Sequence, residues 1–212
     1  MDSRLTDLLV RHPAHLWVGT RGRMQVARLG TGHAALDAAL EGGWPRGTLI
    51  ELLAEGAGSG RLTLLLPVLA ALTQAGRNLA WLPTDHEMPY APALARAGVA
   101  LDRLLVMEVH EPERRLWAAE CCLQSGACAA LVMQETRHIA DPWLRRLKLA
   151  AAAHDATVFL LRRATAAAMP SPAALRLQVG ARAYQRLRRI SLLKGSTSAA
   201  SMLDLDLHDA GH

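Results

Sequence analysis

The stretch AEGAGSGRLTLLL, residues 54–66, places three glycines ahead of a cationic side chain and an apolar helical run. Glycine tolerates left-handed backbone, and the free amides at a helix start attract anions, so Gly56, Gly58, Ser59, Gly60 and Arg61 could fold around a phosphate. A working loop of that kind reads G-x-x-x-x-G-K-[ST], its lysine reaching the phosphates and its hydroxyl holding Mg²⁺. With Gly60 on the last glycine, Glu55 falls on the first, Arg61 on the lysine and Leu62 on the hydroxyl position. Leu62 has no atom to offer a metal. Thr63 has a hydroxyl, but it lies about 100° further round the helix. Glu55 adds negative charge where an anion would sit.

A magnesium-dependent hydrolase also needs a carboxylate at the end of a neighbouring strand. AALVMQE ends in the neutral Gln134, followed by Glu135, and LPTDHEMP supplies Asp85 as a carboxylate able to orient water. Asp85, Gln134 and Glu135 are therefore vestigial catalytic positions. Three readings of the loop stay open: hydrolysis, weak binding of ATP or another anion, and a turn kept because it joins strand to helix compactly.

The elements that must position these residues alternate. Short apolar runs at 48–53, 78–83, 103–109, 129–134 and 156–161 predict strands, and 62–75, 89–97, 112–124 and 141–153 predict helices. That rhythm gives an α/β fold with a mainly parallel sheet flanked by helices. Thr31 and Asp141 are placed to cap helices. Beyond residue 161, RRATAAAMPSP reads as a flexible loop, and ALRLQVGA, RLRRISLLKG and SMLDLDL alternate as strands of an antiparallel extension do. The expected organisation is an N-terminal arm over 1–30 and one domain over 31–212, with its core at 31–161.

The 212 residues are 51% apolar, contain no run long enough to span a bilayer, and begin without a signal-peptide pattern. No membrane association and a cytoplasmic location are therefore expected. The net charge of +5 is uneven: Arg137 to Lys194 holds twelve Lys or Arg against two acids, a local +10 that leaves −5 for the remainder. Such a segment can meet nucleic acid or an acidic partner, or be a solvated face. Cys121, Cys122 and Cys128 have no histidine at ligand spacing and read as reduced packing residues. The histidines show no metal spacing. Trp81 and Trp117 are expected in the core, whereas Trp17 and Trp44, flanked by Gly, Arg and Pro, suit a protein interface.

The collinear run GGWPRGTLIELL, NLAWLPTDHEMPYAPALARAGVALDRLLV and SGACAALVMQE resembles the RecA-like superfamily over residues 39–135. Within it, Asp85 corresponds to the water-activating glutamate, His86 to the histidine beside it, and Gln134 to the metal-supporting aspartate. LGTGHAALDAALEGGWPRGTLIELL, GAGSGRLTLLLPVLA and SPAALRLQV are similar to the ImuA family, translesion-synthesis relatives of RecA, over nearly the whole chain after residue 28. That resemblance implies a noncatalytic RecA-like protein acting in the SOS response, with ImuB and an error-prone replicative-type polymerase as partners and the nucleoid as the place of action. It leaves contact with RecA, contact with DNA and self-association open.

In RecA a DNA-binding loop follows the core strand at the position of LLRRATAAAMPSP, so Arg162 and Arg163 become candidate phosphate contacts. Arg182, Arg186, Arg188, Arg189 and Lys194 extend that candidate surface, towards DNA or an acidic partner. The alternatives are a SulA-like division inhibitor that binds FtsZ, a family usually shorter than this chain, and a nucleotide-dependent RecA-like switch.

Overall fold

The computed structural model describes residues 27–56, 58–84, 88–184, 187–195 and 202–207, with the backbone alone for 181–184. Its first elements are β1 (Arg28–Leu29), α1 (Ala34–Ala39) and β2 (Trp44–Pro45), with β1 and β2 forming a small antiparallel pair. β3 (Leu49–Ala54), α2 (Arg61–Gln74), β4 (Leu79–Leu82), α3 (Ala91–Arg96), β5 (Leu104–Val106), α4 (Pro112–Gln124), β6 (Ala130–Gln134), α5 (Asp141–Ala153) and β7 (Thr157–Arg163) follow. The chain ends in β8 (Leu175–Tyr184), β9 (Leu187–Lys194) and β10 (Met202–Asp206).

One eight-stranded sheet runs in the order β10-β9-β8-β3-β7-β6-β4-β5. β3 lies between β7 and β8 and is parallel to both. All six of its residues are buried, as a strand covered by helices on both faces requires. On one face Ile50, Leu52 and Phe159 meet Leu64, Leu65 and Leu69 of α2, Leu36 of α1 and Leu40 just after it. On the other, Leu49, Leu131 and Leu160 meet Leu116 and Leu123 of α4 and Leu144 and Leu147 of α5. Burying each such leucine contributes about 1.5–3 kcal/mol, so this two-sided apolar packing dominates the stability.

Several expectations change. β9 and β10 are antiparallel additions, but β8 pairs in parallel with β3 and belongs to the core sheet. The stretch expected as a flexible loop contains a 3₁₀ helix over Ala164–Ala168, which the buried Arg176 holds by donating to the carbonyls of Ala166 and Met169 at 2.7 and 3.0 Å. Thr31 precedes its helix, where its hydroxyl hydrogen-bonds the backbone of His33, the residue at the cap position. Ala140 occupies the cap of α5, and Asp141 sits in the first turn, accepting from Arg145 at 2.7 Å.

Trp44, expected at an interface, has no exposed surface and meets the Phe159 ring edge-on, centroids 5.7 Å apart. Trp117, expected in the core, is 61% exposed on α4, while Trp81 is buried. Trp17 lies outside the described residues. Among the described residues no helix is long and apolar enough to cross a membrane.

Candidate functional site

The glycine-rich loop connects the carboxyl end of β3 to the amino end of α2. Gly56, Gly58 and Gly60 have φ of 68°, 71° and 89°, all in the left-handed region that glycine alone enters without cost. Thr63 is half-buried in the first turn of α2.

Arg61 curls back into this loop. Its Nη1 donates to the Arg162 carbonyl at 2.8 Å, its Nε to the Ser59 hydroxyl at 3.1 Å and its Nη2 to the Gly56 carbonyl at 3.4 Å. The residue is only 7% exposed. A second cation closes from outside: Arg188 of β9 donates through Nη2 to the Gly58 carbonyl at 3.2 Å. A Cβ placed on Gly60 would stand 2.7 Å from Leu207 Cδ1 and 3.1 Å from Arg188 Nε. The loop is therefore spanned by one guanidinium and roofed by the C-terminal strands. Arg61, expected to offer its charge to a phosphate, directs it instead to oxygens of Gly56, Ser59 and Arg162.

Behind the loop lies a buried ionic network that sequence reading missed. Glu51, fully buried in β3, accepts from Arg162 Nη1 at 3.0 Å, Ser171 Oγ at 2.6 Å and Arg176 Nε at 2.8 Å. Arg162 Nη2 reaches Glu135 Oε1 at 2.7 Å, and the same oxygen accepts the Ile139 amide at 3.3 Å. Two carboxylates thus balance two guanidiniums across β3, β7, β8 and the end of β6. Burial disfavours the charged form of Arg162, but the hydrogen bond to Glu135 and the charges of Glu51 and Glu135 outweigh it and hold the guanidinium protonated. At 1% exposure Arg162 cannot meet a nucleic-acid phosphate, which corrects the expectation that paired it with Arg163. Arg163, the next residue, is exposed.

Of the vestigial catalytic positions, Glu135 and the Gln134 backbone are held by internal hydrogen bonds. Glu135 belongs to the ionic network, and the Gln134 carbonyl accepts from Arg115 Nη2 at 3.0 Å. Arg115, 2% exposed, also donates to the carbonyls of Leu82, Pro83 and Val109. It thereby gathers the carboxyl ends of β4 and β6 and the chain beyond β5. Asp85 and His86 lie outside the described residues.

Of the remaining basic candidates, Arg189 forks onto Asp204 of β10 at 3.0 and 3.3 Å, and Lys194 donates to the Ser171 carbonyl at 2.8 Å. Lys148 reaches the adjacent Pro172 carbonyl at 2.9 Å, and burial, followed by the charge of Lys194, lowers its pKa. The backbone of Arg182 lies in β8, while its side chain and the whole of Arg186 fall outside the described residues.

A small pocket of about 160 Å³ opens beyond β6 between α4 and α5, lined in part by Thr136, Ile139 and Trp143 and bordered by a Glu113–Arg137 ion pair. Arg146 stacks on Trp143 at 4.2 Å and pairs with Glu120. Among the described residues no group of three or more His, Cys, Asp or Glu could hold a metal.

The sequence pattern of the RecA N-terminal domain matches residues 12–142. The chain is 35% identical over 119 residues to protein RecA of Rubrobacter xylanophilus, covering 55% of this chain and 33% of that protein. Identity is 32% over 117 residues with protein RecA of Caulobacter vibrioides, covering 55% and 32%. The chain thus spans about a third of the length of the curated relatives it matches. A crystal structure of the RadB recombinase superposes with a TM-score of 0.66 at 18% identity, covering 83% of this chain and 94% of that one, which is a likeness of fold.

Proposed function

As the chain belongs to the RecA N-terminal domain family, we propose that it is a noncatalytic RecA-like accessory protein of the ImuA type. In this reading it joins ImuB and an error-prone polymerase in DNA synthesis past lesions, in the cytoplasm and at the nucleoid after DNA damage. One observation carries the noncatalytic part: the residue in the lysine position, Arg61, is buried and bound to Gly56, Ser59 and Arg162 within its own fold. A nucleotide would have to displace that guanidinium and the roof made by Arg188 and Leu207. Leu62 and Gln134, where a hydroxyl and an aspartate organise Mg²⁺ in working enzymes, support the same reading. Work then falls to surfaces, among which Arg163 is an exposed cation suited to a phosphate or an acidic partner.

A nucleotide-dependent switch is the second reading, favoured by the left-handed geometry kept at Gly56, Gly58 and Gly60. Calorimetric titration with ATP and Mg²⁺, followed by phosphate release from the same sample, decides between the two. No saturable heat and no phosphate are expected; saturable binding that Arg61→Ala abolishes would establish the switch. Co-expression with ImuB and the polymerase should yield a complex. Recovery of FtsZ in its place would make the protein a SulA-like division inhibitor.

A further inference from the structure

Two of the three cysteines, spaced six residues apart, are brought into contact by the fold. Cys122 lies in the last turn of α4 and Cys128 just ahead of β6, and their sulfurs are 3.5 Å apart. The turn between them is firmly built. Ser125 Oγ donates to the Cys122 carbonyl at 2.7 Å and accepts the Ala127 amide at 3.2 Å, and Gly126 takes φ of 66°. The Cys128 sulfur also lies 3.8 Å from the Cys122 carbonyl oxygen. Cys128 is 5% exposed, Cys122 is half-buried, and Cys121 is exposed.

We infer that Cys122 and Cys128 form a reversible oxidation site at which a hydroperoxide converts the two thiols into an intramolecular disulfide. The Cys122 sulfur attacks one peroxide oxygen, the O–O bond breaks, and a sulfenic acid and water result. The Cys128 sulfur then attacks the Cys122 sulfur, the S–O bond breaks, and the Cys128 proton leaves with the hydroxyl as a second water. Two thiols lose two electrons and one hydrogen peroxide gains them.

Accessibility and chemistry assign the roles in the same direction. Cys122 can meet the oxidant, while Cys128 is shielded and can only resolve. The hydrogen bond between the two sulfurs lowers the Cys122 pKa against the opposing effect of burial, and that bond together with burial raises Cys128. Cys122 is thus the readier thiolate, the form that reacts. From 3.5 Å the sulfurs need only approach a bond length of about 2.05 Å. Cys121, one residue earlier on the helix, projects about 100° away and is the internal control.

The full-length protein, treated under native conditions with hydrogen peroxide and then alkylated, provides the test. The expected result is a fall from three free thiols to one, a 2 Da loss in the peptide that spans residues 116–137, and recovery of all three thiols with dithiothreitol. Cys121→Ser should keep the 2 Da loss; Cys122→Ser and Cys128→Ser should each abolish it. Three alkylated thiols after peroxide, a bond mapped to Cys121, or stable sulfinic acid at Cys122 with Cys128 still free would each overturn the inference. A circular dichroism spectrum of each variant shows that the fold is retained.

Discussion

Glu51 is a carboxylate with no exposed surface, in the strand that forms the centre of the sheet. Desolvating a charge is costly, and it is tolerated here because Arg162, Arg176 and Ser171 satisfy both oxygens. Removing the acid leaves the buried Arg176 guanidinium without its counter-charge and Arg162 with Glu135 alone. Glu51→Ala should therefore destabilise the protein by about 3–5 kcal/mol, read from the urea midpoint. Trp44→Ala, which empties a core position, should cost a similar ~3–5 kcal/mol, whereas Trp117→Ala on the exposed face of α4 should stay within about 0.5 kcal/mol of the parent. The lone acid in TLIELL is visible in the sequence. Its partners are not, because Arg162 and Arg176 lie 111 and 125 residues away and a basic side chain reads alike whether buried or solvated. The same blindness exchanged the two tryptophans: flanking Gly, Arg and Pro suggested an interface for Trp44, which is buried, and Trp117, expected in the core, is exposed.

At the scale of elements, the glycine-rich loop and the C-terminal hairpin form one unit. Gly56 and Gly60 separate two effects that a sequence pattern merges. A Cβ on Gly56 meets nothing within 4 Å, so Gly56→Ala carries backbone strain alone, about 1–2 kcal/mol. Gly60→Ala adds a clash with Leu207 and Arg188, worth roughly 1–3 kcal/mol more, and should speed amide exchange in β9. The order of the two variants in thermal melts checks whether the hairpin rests on the loop. Within the hairpin, Arg189 holds the Asp204 carboxyl below its ordinary value, chiefly through its hydrogen bonds. A carboxylate of lowered folded pKa contributes its stabilisation above the unfolded value of about 3.9 and loses it as pH falls through the folded one. Amide chemical shifts at Ile190 and Leu203, cross-strand partners, should move in that acid window and stay flat in Asp204→Asn. Strand and helix positions were legible because short apolar runs alternate with longer helical stretches along the chain. The roof over the loop was not, since it depends on where β9 lands after β8 has entered the sheet.

For the whole molecule, the consequence lies in the C-terminal third. Read as an antiparallel extension it would be dispensable to the core, and deleting it would isolate a binding function. In the structure β8 is hydrogen-bonded to the central strand β3, Arg176 closes the ionic network, and Leu175, Leu177 and Val179 belong to the apolar core. Truncation after residue 160 would remove Arg162 and Arg176 together, leave Glu51 buried without a counter-charge and strip one edge of β3. Such a chain should lose its cooperative unfolding transition and its near-ultraviolet dichroism. A truncated protein that still melted sharply would mean that the first 160 residues fold without β8, contrary to this packing. Loss of partner or DNA binding on truncation would consequently report unfolding, and surface variants such as Arg163→Glu are needed to test recognition. Arg163 is exposed at the end of β7, so its charge reversal should leave the melting midpoint nearly unchanged, and any fall in affinity can then be assigned to the surface itself.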